Sequence, residues 1–111
     1  MIYFNLITFY IYIGIHIIQN QMSKKSINET KIIIYTTKTC GYCYLAKNLL
    51  KKYSLEYIEI DVSNNNVIKN EMIRKSSGIK TVPQIFLNDK HIGGFYELNQ
   101  LHINGDLTKN L

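Results

Sequence analysis

The pattern of apolar positions changes its period in a regular order from Lys31 onward. Ile32–Tyr35 form a continuous apolar run rich in β-branched residues, which is typical of a strand covered on both faces. Apolar side chains then recur at helical spacing from Cys43 to about Tyr53, with lysines on the opposite side. Tyr57–Asp61 alternate between apolar and polar residues. The first half therefore predicts a strand, an amphipathic helix and a second strand.

The second half of the chain predicts a helix, a hairpin and a final helix. Polar residues before the helix supply turn and capping groups, and a glycine ends it. A two-residue polar turn joins two short apolar segments, so these should form an antiparallel pair. The predicted elements are a helix from about Val67 to Ser77, strands at Gln84–Leu87 and Lys90–Ile92 around the turn Asn88-Asp89, a break at Gly93-Gly94, a helix from Tyr96 to about Leu101, and a short turn near Leu107.

This order of elements, βαβαββα, limits the topology. A right-handed crossover makes the first two strands parallel, and the hairpin adds an antiparallel pair. We therefore expect an α/β fold with a four-stranded mixed sheet and helices on both faces.

The first 21 residues differ from the rest of the chain. Ile2 to Ile18 is almost entirely apolar, and no charged residue precedes Lys24. Its length of roughly 17 residues is near the lower limit for a membrane span, and it lacks the basic start and cleavage site of a secretory signal. Two interpretations stay open: an anchor or targeting segment, or an extension upstream of a true start at Met22.

The chain therefore divides into a hydrophobic extension at 1–21, a polar lead-in at 22–30 and a folded domain at 31–111. If the extension inserts into a membrane, Lys24 and Lys25 would hold the domain on the cytoplasmic side. We expect a cytoplasmic protein, with membrane-anchored and organellar locations as alternatives.

Composition excludes several classes of protein. A length of 111 residues with 46% hydrophobic residues and one proline indicates a single globular domain. The net charge of +5 arises from lysines scattered among acidic residues, so no dense basic patch supports nucleic-acid binding. The only two cysteines stand in C-x-x-C, which is not a disulfide scaffold and favours a reducing compartment.

Cys40 and Cys43 lie at the connection between the first predicted strand and the first predicted helix. Two thiols at this spacing can close and reopen a small disulfide ring. Cys40 would lie at the positive end of the helix dipole, with Lys38 nearby. We therefore expect the pKa of Cys40 to lie below the free value of about 8.5, and Cys43 to be more buried and to resolve the disulfide.

A C-x-x-C pair can also be half of a zinc site. The remaining soft ligands are His16, His91 and His102, whose spacing does not fit a second pair. We expect His91 on its short strand to be a surface or hairpin side chain and His102 to be exposed near a helix end, and we predict no metal ligands.

Three motifs together resemble the glutaredoxin family. They are C-G-Y-C at residues 40–43, Thr81-Val82-Pro83 before the third strand, and Gly93-Gly94 after the fourth. The resemblance covers about Lys31 to Leu107. It implies a thioredoxin-like fold and a glutathione-dependent thiol-disulfide oxidoreductase, active in electron transport and cell redox homeostasis. Its implied partners are glutathione, disulfide or glutathionylated proteins and, indirectly, glutathione reductase, with the chain as a monomer.

The resemblance also assigns roles to individual residues. Cys40 matches the nucleophile and Cys43 the resolving thiol. Thr81-Val82 match the segment that pairs with the glutathione backbone, and Pro83 matches a cis-proline facing the reactive sulfur. The remaining matches are Lys38, which would meet a glutathione carboxylate, and Gly94, Tyr96 and Glu97, which would bind the γ-glutamyl end. Tyr42, inside the C-x-x-C loop, is expected to contact substrate because the loop leaves little room to bury it.

Two departures from the family pattern open alternatives. Gly41 replaces the commoner proline, and similar proteins with C-G-Y-C can bridge a [2Fe–2S] cluster between two subunits. The alternative function is therefore a cluster-bound dimer, a carrier or sensor with Cys40 as the ligand. Tyr96 is bulkier and Glu97 is longer than the usual residues at the γ-glutamyl end, so the match to the family is weakest for affinity or orientation at this end. A third reading is a hydrogen donor for a reductase, served by thioredoxin reductase.

Overall fold

A computed structural model describes residues 30–109. The predicted segments at 1–21 and 22–30 lie outside these residues, apart from Thr30. The elements are β1 (Ile32–Thr36), α1 (Gly41–Lys52), β2 (Ile58–Asp61), α2 (Asn66–Lys75), β3 (Gln84–Leu87), β4 (Lys90–Gly93) and α3 (Phe95–Ile103). Within 30–109, none of the helices has the length and apolar character needed to cross a bilayer.

The four strands form one mixed sheet in the order β2-β1-β3-β4. β1 pairs in parallel with β2, with Ile33 opposite Ile58. β1 and β4 both run antiparallel to β3, and Ile34 lies opposite Ile85 in the central pair. The predicted α/β fold, its element order and its strand directions are confirmed.

Two apolar clusters cover the two faces of the sheet. The larger one joins Ile32 and Ile34 to residues of α1 and α3, including Leu50 and Leu98. The other joins Tyr35 to Phe86 and to residues of α2, including Met72. Because successive side chains of a strand point to opposite faces, β1 supplies both clusters. This explains its continuous apolar run and confirms helices on both faces.

The helix boundaries follow the capping groups closely. Asn65 caps α2 by accepting a hydrogen bond from Ile68 N–H at 3.1 Å. α2 ends at Lys75, two residues earlier than predicted, and the next residues include Ser77 with a positive φ of 60°. The buried Ser76 hydroxyl lies 3.2 Å from the Ile73 carbonyl oxygen and 3.0 Å from that of Ile79, so it can donate its one hydrogen to either of them. Gly78 has a φ of 101° and directs the chain away from the helix.

The hairpin and the last helix also differ only in their limits. Asn88 and Asp89 have positive φ angles of 49° and 66°, the conformation of a tight two-residue hairpin turn. α3 extends beyond both predicted ends. The turn after it buries Leu107 in the larger cluster, so this apolar residue fixes the end of the domain.

Candidate functional site

The two cysteines lie at the start of α1 and form a disulfide. Their Cα atoms are 5.2 Å apart, within the usual range for a disulfide. Cys40 is the N-cap of α1 and is partly exposed, whereas Cys43 lies in the first turn and is 2% exposed. The structure therefore gives the two sulfur atoms unequal access to solvent.

The backbone at the start of α1 favours negative charge on Cys40. The N–H of Cys43 donates to Cys40 Sγ at 3.1 Å. The first turn of α1 holds no acidic side chain, so no carboxylate there offsets the positive end of the helix dipole. Cys40 Sγ also lies 3.7 Å from the carbonyl oxygen of Val82; in the disulfide the sulfur carries no hydrogen, so this is a contact and not a hydrogen bond.

The loop before Cys40 is held by residues that follow β2. Lys38 N–H donates to the Ser63 hydroxyl oxygen at 3.1 Å, and Ser63 N–H donates to Asp61 Oδ1 at 2.8 Å. Hydrogen bonds from Ser63 lower the pKa of the Asp61 carboxyl, and the Lys38 charge contributes in the same direction. Ser63 is one of the polar residues before α2 that were expected to supply turn and capping groups, and the structure places it beside the cysteine loop as well.

A groove of about 480 Å³ opens beside the N-terminus of α1. All the predicted glutathione-contacting residues except Lys38 line it, which brings together three separate parts of the sequence. Phe95 and Asn99 line it as well and were not predicted. The lining residues are Tyr42, Thr81, Val82, Pro83, Gly94, Phe95, Tyr96, Glu97 and Asn99.

Aromatic side chains form one rim of this groove. Tyr42 is 65% exposed and Tyr96 is 70% exposed. Tyr42 stacks on Phe95 with ring centroids 5.9 Å apart, so the C-x-x-C loop packs directly against the start of α3. The exposure of Tyr42 agrees with the prediction that the loop cannot bury it.

Another part of the groove lining is backbone in close approach. The Val82–Pro83 peptide bond is cis, as predicted. A Cβ on Gly94 would lie 3.3 Å from the Pro83 carbonyl oxygen. Gly94 N–H donates to Glu97 Oε2 at 2.9 Å, which caps α3 from the position where the sequence predicted a substrate contact.

His102 is less exposed than predicted, and His91, on the hairpin strand β4, makes a contact that was not predicted. His91 is partly buried, and its Nε2 lies 2.6 Å from Gln84 Oε1. His102 is partly buried as well, and its Nδ1 hydrogen-bonds the Tyr53 hydroxyl between α1 and α3. Sequence spacing could not pair these residues, because each partner lies on another element. Residues 30–109 contain no group of three or more His, Cys, Asp or Glu arranged to hold a metal ion.

Known proteins are similar to this chain in both sequence and fold. The family model described as Glutaredoxin matches residues 32–92. Glutaredoxin 1 of Rickettsia prowazekii (strain Madrid E) is 49% identical over 86 residues, which cover 77% of this chain and 90% of that protein.

Among solved structures, the glutaredoxin from Brucella melitensis is 38% identical, with a TM-score of 0.66, and the match covers 76% of this chain and 91% of that one. A buckwheat glutaredoxin–glutathione complex is 26% identical, with a TM-score of 0.67 and coverage of 82% and 84%. With its cysteine pair at the helix N-terminus, this chain belongs to the glutaredoxin family and is a thiol-disulfide oxidoreductase of thioredoxin-like fold.

Proposed function

We propose that this protein uses glutathione to reduce protein disulfides and glutathione mixed disulfides, through a thiolate on Cys40. The observation that carries the proposal is the position of the Cys40–Cys43 pair at a helix N-terminus, 3.7 Å from the backbone of a groove lined by residues 81–83 and 94–97. The solved buckwheat relative is a complex with glutathione, which supports the same ligand here.

The proposed reaction moves two electrons by thiol-disulfide exchange. The Cys40 thiolate attacks the glutathione sulfur of a mixed disulfide, and a Cys40–glutathione bond forms as the protein thiolate leaves and takes a proton from water. A second glutathione thiolate then attacks the glutathione sulfur, which releases oxidised glutathione and restores the Cys40 thiolate. Alternatively, Cys43 attacks Cys40 Sγ, releases glutathione and forms the disulfide described above.

Access and electrostatics both support Cys40 as the attacking group. Cys43 is 2% exposed, so an incoming disulfide meets Cys40 first. The Cys43 N–H at 3.1 Å and the helix dipole stabilise an anionic Cys40 sulfur more than a neutral thiol. We therefore expect the pKa of the Cys40 thiol in the reduced protein to lie below about 8.5.

We propose that an extended tripeptide binds along this groove and reaches Lys38 at one end. Thr81 and Val82 would pair with its backbone, and Pro83 would face the sulfur. Gly94, Tyr96 and Glu97 would surround the γ-glutamyl end, and Tyr42 would cover the centre. Lys38 lies outside the lining but two residues before Cys40, on backbone fixed by Ser63, from which its ammonium group would reach a carboxylate at the other end.

The wider setting is proposed from the family and from the charge of the chain. Substrates would be disulfide-bonded or glutathionylated proteins, and glutathione reductase would restore the glutathione consumed. We propose a cytoplasmic monomer whose domain begins near Lys31, with residues 1–21 acting as an anchor only if they are retained in the mature protein.

A bridged [2Fe–2S] cluster would use the Cys40 thiolate of each subunit together with glutathione thiolates. Here Cys40 is bonded to Cys43. Gly41 leaves open space beside the loop, since nothing lies within 4 Å of a Cβ built on it. This space is compatible with either chemistry, and no contact within residues 30–109 favours the cluster over the disulfide.

The test is reduction of a glutathionylated peptide, coupled to glutathione reductase, by wild type, Cys40→Ser and Cys43→Ser. We expect Cys40→Ser to lose activity and Cys43→Ser to keep a substantial part of it by the route through glutathione alone. Retention of most activity by Cys40→Ser would contradict the proposal. Activity supported by thioredoxin reductase but not by glutathione would favour the hydrogen-donor reading instead.

A further inference from the structure

The buried Gln84 and the partly buried His91 form a hydrogen-bonded chain that ends at the groove. Gln84 is the first residue of β3 and is 2% exposed. Its Nε2 donates to the carbonyl oxygen of Thr81 at 3.0 Å, and its Oε1 lies 2.6 Å from His91 Nε2. The His91 ring is held in turn against Phe86, with ring centroids 5.0 Å apart.

The direction of these hydrogen bonds is fixed by their last member. The Thr81 carbonyl can only accept, so the Gln84 amide must present its NH₂ group to it. Its oxygen then faces His91, which must donate from Nε2. Neutral His91 therefore carries its proton on Nε2, and the chain of donors runs from His91 through Gln84 to Thr81.

The Thr81–Val82 peptide unit connects this hydrogen-bonded chain to the groove. The Thr81–Val82 bond is planar and trans, so the Thr81 carbonyl and the Val82 N–H point in opposite directions. Holding the carbonyl from inside the sheet turns the N–H outward. Val82 lines the groove, and among residues 30–109 its N–H has no hydrogen-bond acceptor.

We propose that Gln84 and His91 are positioning residues for substrate recognition, which set the plane of the Thr81–Val82 peptide so that the Val82 N–H is presented to the backbone of a glutathione group. This inference rests on the proposed function. Neither residue touches the substrate; they act by holding a donor that would otherwise rotate and hydrogen-bond to water.

The experiment measures kcat and KM for a glutathionylated peptide in wild type, His91→Phe, Gln84→Met and the double variant. Phenylalanine keeps a ring against Phe86 and methionine keeps the length of Gln84, while both remove the hydrogen bonds. A neutral hydrogen bond affects an equilibrium constant by roughly threefold to tenfold. We therefore expect KM to rise about threefold to tenfold in each single variant, with kcat changed less than about twofold.

Two further variants separate positioning from general stability. In His91→Gln, the new amide NH₂ can replace the ring N–H, so KM should return toward the wild-type value. His102→Phe removes the other partly buried histidine hydrogen bond, to Tyr53, and should lower the unfolding midpoint without raising KM. Because Gln84 and His91 act in series, the double variant should have no higher KM than Gln84→Met alone.

The inference is overturned if wild type saturates with the peptide but His91→Phe keeps its KM, or if KM rises equally in His102→Phe. Should Gln84→Met fail to fold, the comparison of His91→Phe with His91→Gln decides the question. If wild type shows no glutathione-dependent activity, the proposed function itself fails, which is a different result from an active enzyme that is indifferent to His91.

Discussion

Gly93 stands where the sheet ends and α3 begins, and its replacement by alanine tests how closely these two elements approach. Its φ of 125° lies in a region that L-residues rarely adopt. A Cβ placed there would lie 2.8 Å from Cγ and Cδ of Glu97 and 3.0 Å from its Cβ. Gly93→Ala would therefore strain the backbone and displace the Glu97 side chain together.

The expected loss of stability in Gly93→Ala comes from the strained backbone and from the displaced Glu97 side chain. Holding a non-glycine residue at such a φ costs about 1–3 kcal/mol. The exposed Glu97 side chain can rotate its Cγ and Cδ into water, which relieves the two 2.8 Å contacts, whereas its Cβ is fixed by the backbone of α3. The displaced carboxylate then gives up its hydrogen bond from Gly94 N–H, and loss of a helix cap costs about 1 kcal/mol. We expect Gly93→Ala to lower the free energy of unfolding by about 2–4 kcal/mol.

Gly78→Ala is the matched control, because Gly78 also has a positive φ, 101°, but nothing lies within 4 Å of its added Cβ. Equilibrium unfolding in urea, followed by circular dichroism, should show Gly93→Ala to be less stable than Gly78→Ala by about 1 kcal/mol. In a Glu97→Gly background, which removes the Cβ as well as the rest of the Glu97 side chain, the excess should vanish. Equal losses in the two glycine variants, or an excess that persists without Glu97, would refute the reasoning.

Three other substitutions test the core, the loop before Cys40 and the hairpin. Leu50→Ala removes a fully buried side chain from the larger cluster and should lower the free energy of unfolding by about 2–5 kcal/mol; a loss below about 1 kcal/mol in urea unfolding would mean that the site is loosely packed. Ser63 lowers the pKa of Asp61, so ionised Asp61 stabilises the fold above its unfolded pKa, and this contribution is lost as the pH falls through the lower folded pKa. Wild type should therefore be more stable than Asp61→Asn at neutral pH, and the difference should disappear in acid; a difference independent of pH would contradict the assignment. Asp89→Gly relieves a φ of 66° and creates the Asn-Gly pair favoured in such turns, so urea unfolding should show a gain of about 0.5 kcal/mol, and a loss would show that the Asp89 side chain stabilises the turn.

The fold could be predicted because its periodic signals are local. The apolar run of β1, the helical spacing in α1 and the two-residue turn at Asn88-Asp89 each depend on neighbours in sequence. Helix ends were less predictable, since α2 stops before Ser76, whose buried hydroxyl has the carbonyls of Ile73 and Ile79 as alternative acceptors. These contacts form only in the folded chain, so the spacing of apolar residues does not reveal where the helix ends.

The site was predictable where a motif carries it and not where tertiary contact does. The C-x-x-C, T-V-P and G-G segments led to groove residues in three separate parts of the sequence. The contacts between Ser63 and the Lys38 backbone, and between Gln84 and His91, join elements that no short motif connects. His91 was expected to be a surface or hairpin side chain, because the sequence of one short strand does not show what packs against it. Its hydrogen-bond partner is Gln84 on β3, seven residues earlier.

Within residues 30–109, β2 has a neighbouring strand on one side only. Its Ile58 is 52% exposed, and Glu59 forms an ion pair with Lys47 at 2.8 Å. An open strand of this kind invites a second molecule to extend the sheet, and charged side chains discourage it. We therefore expect Glu59 and Asp61 to oppose the pairing of a second molecule with β2. The solubility of the protein should then depend on these two carboxylates more than its net positive charge suggests.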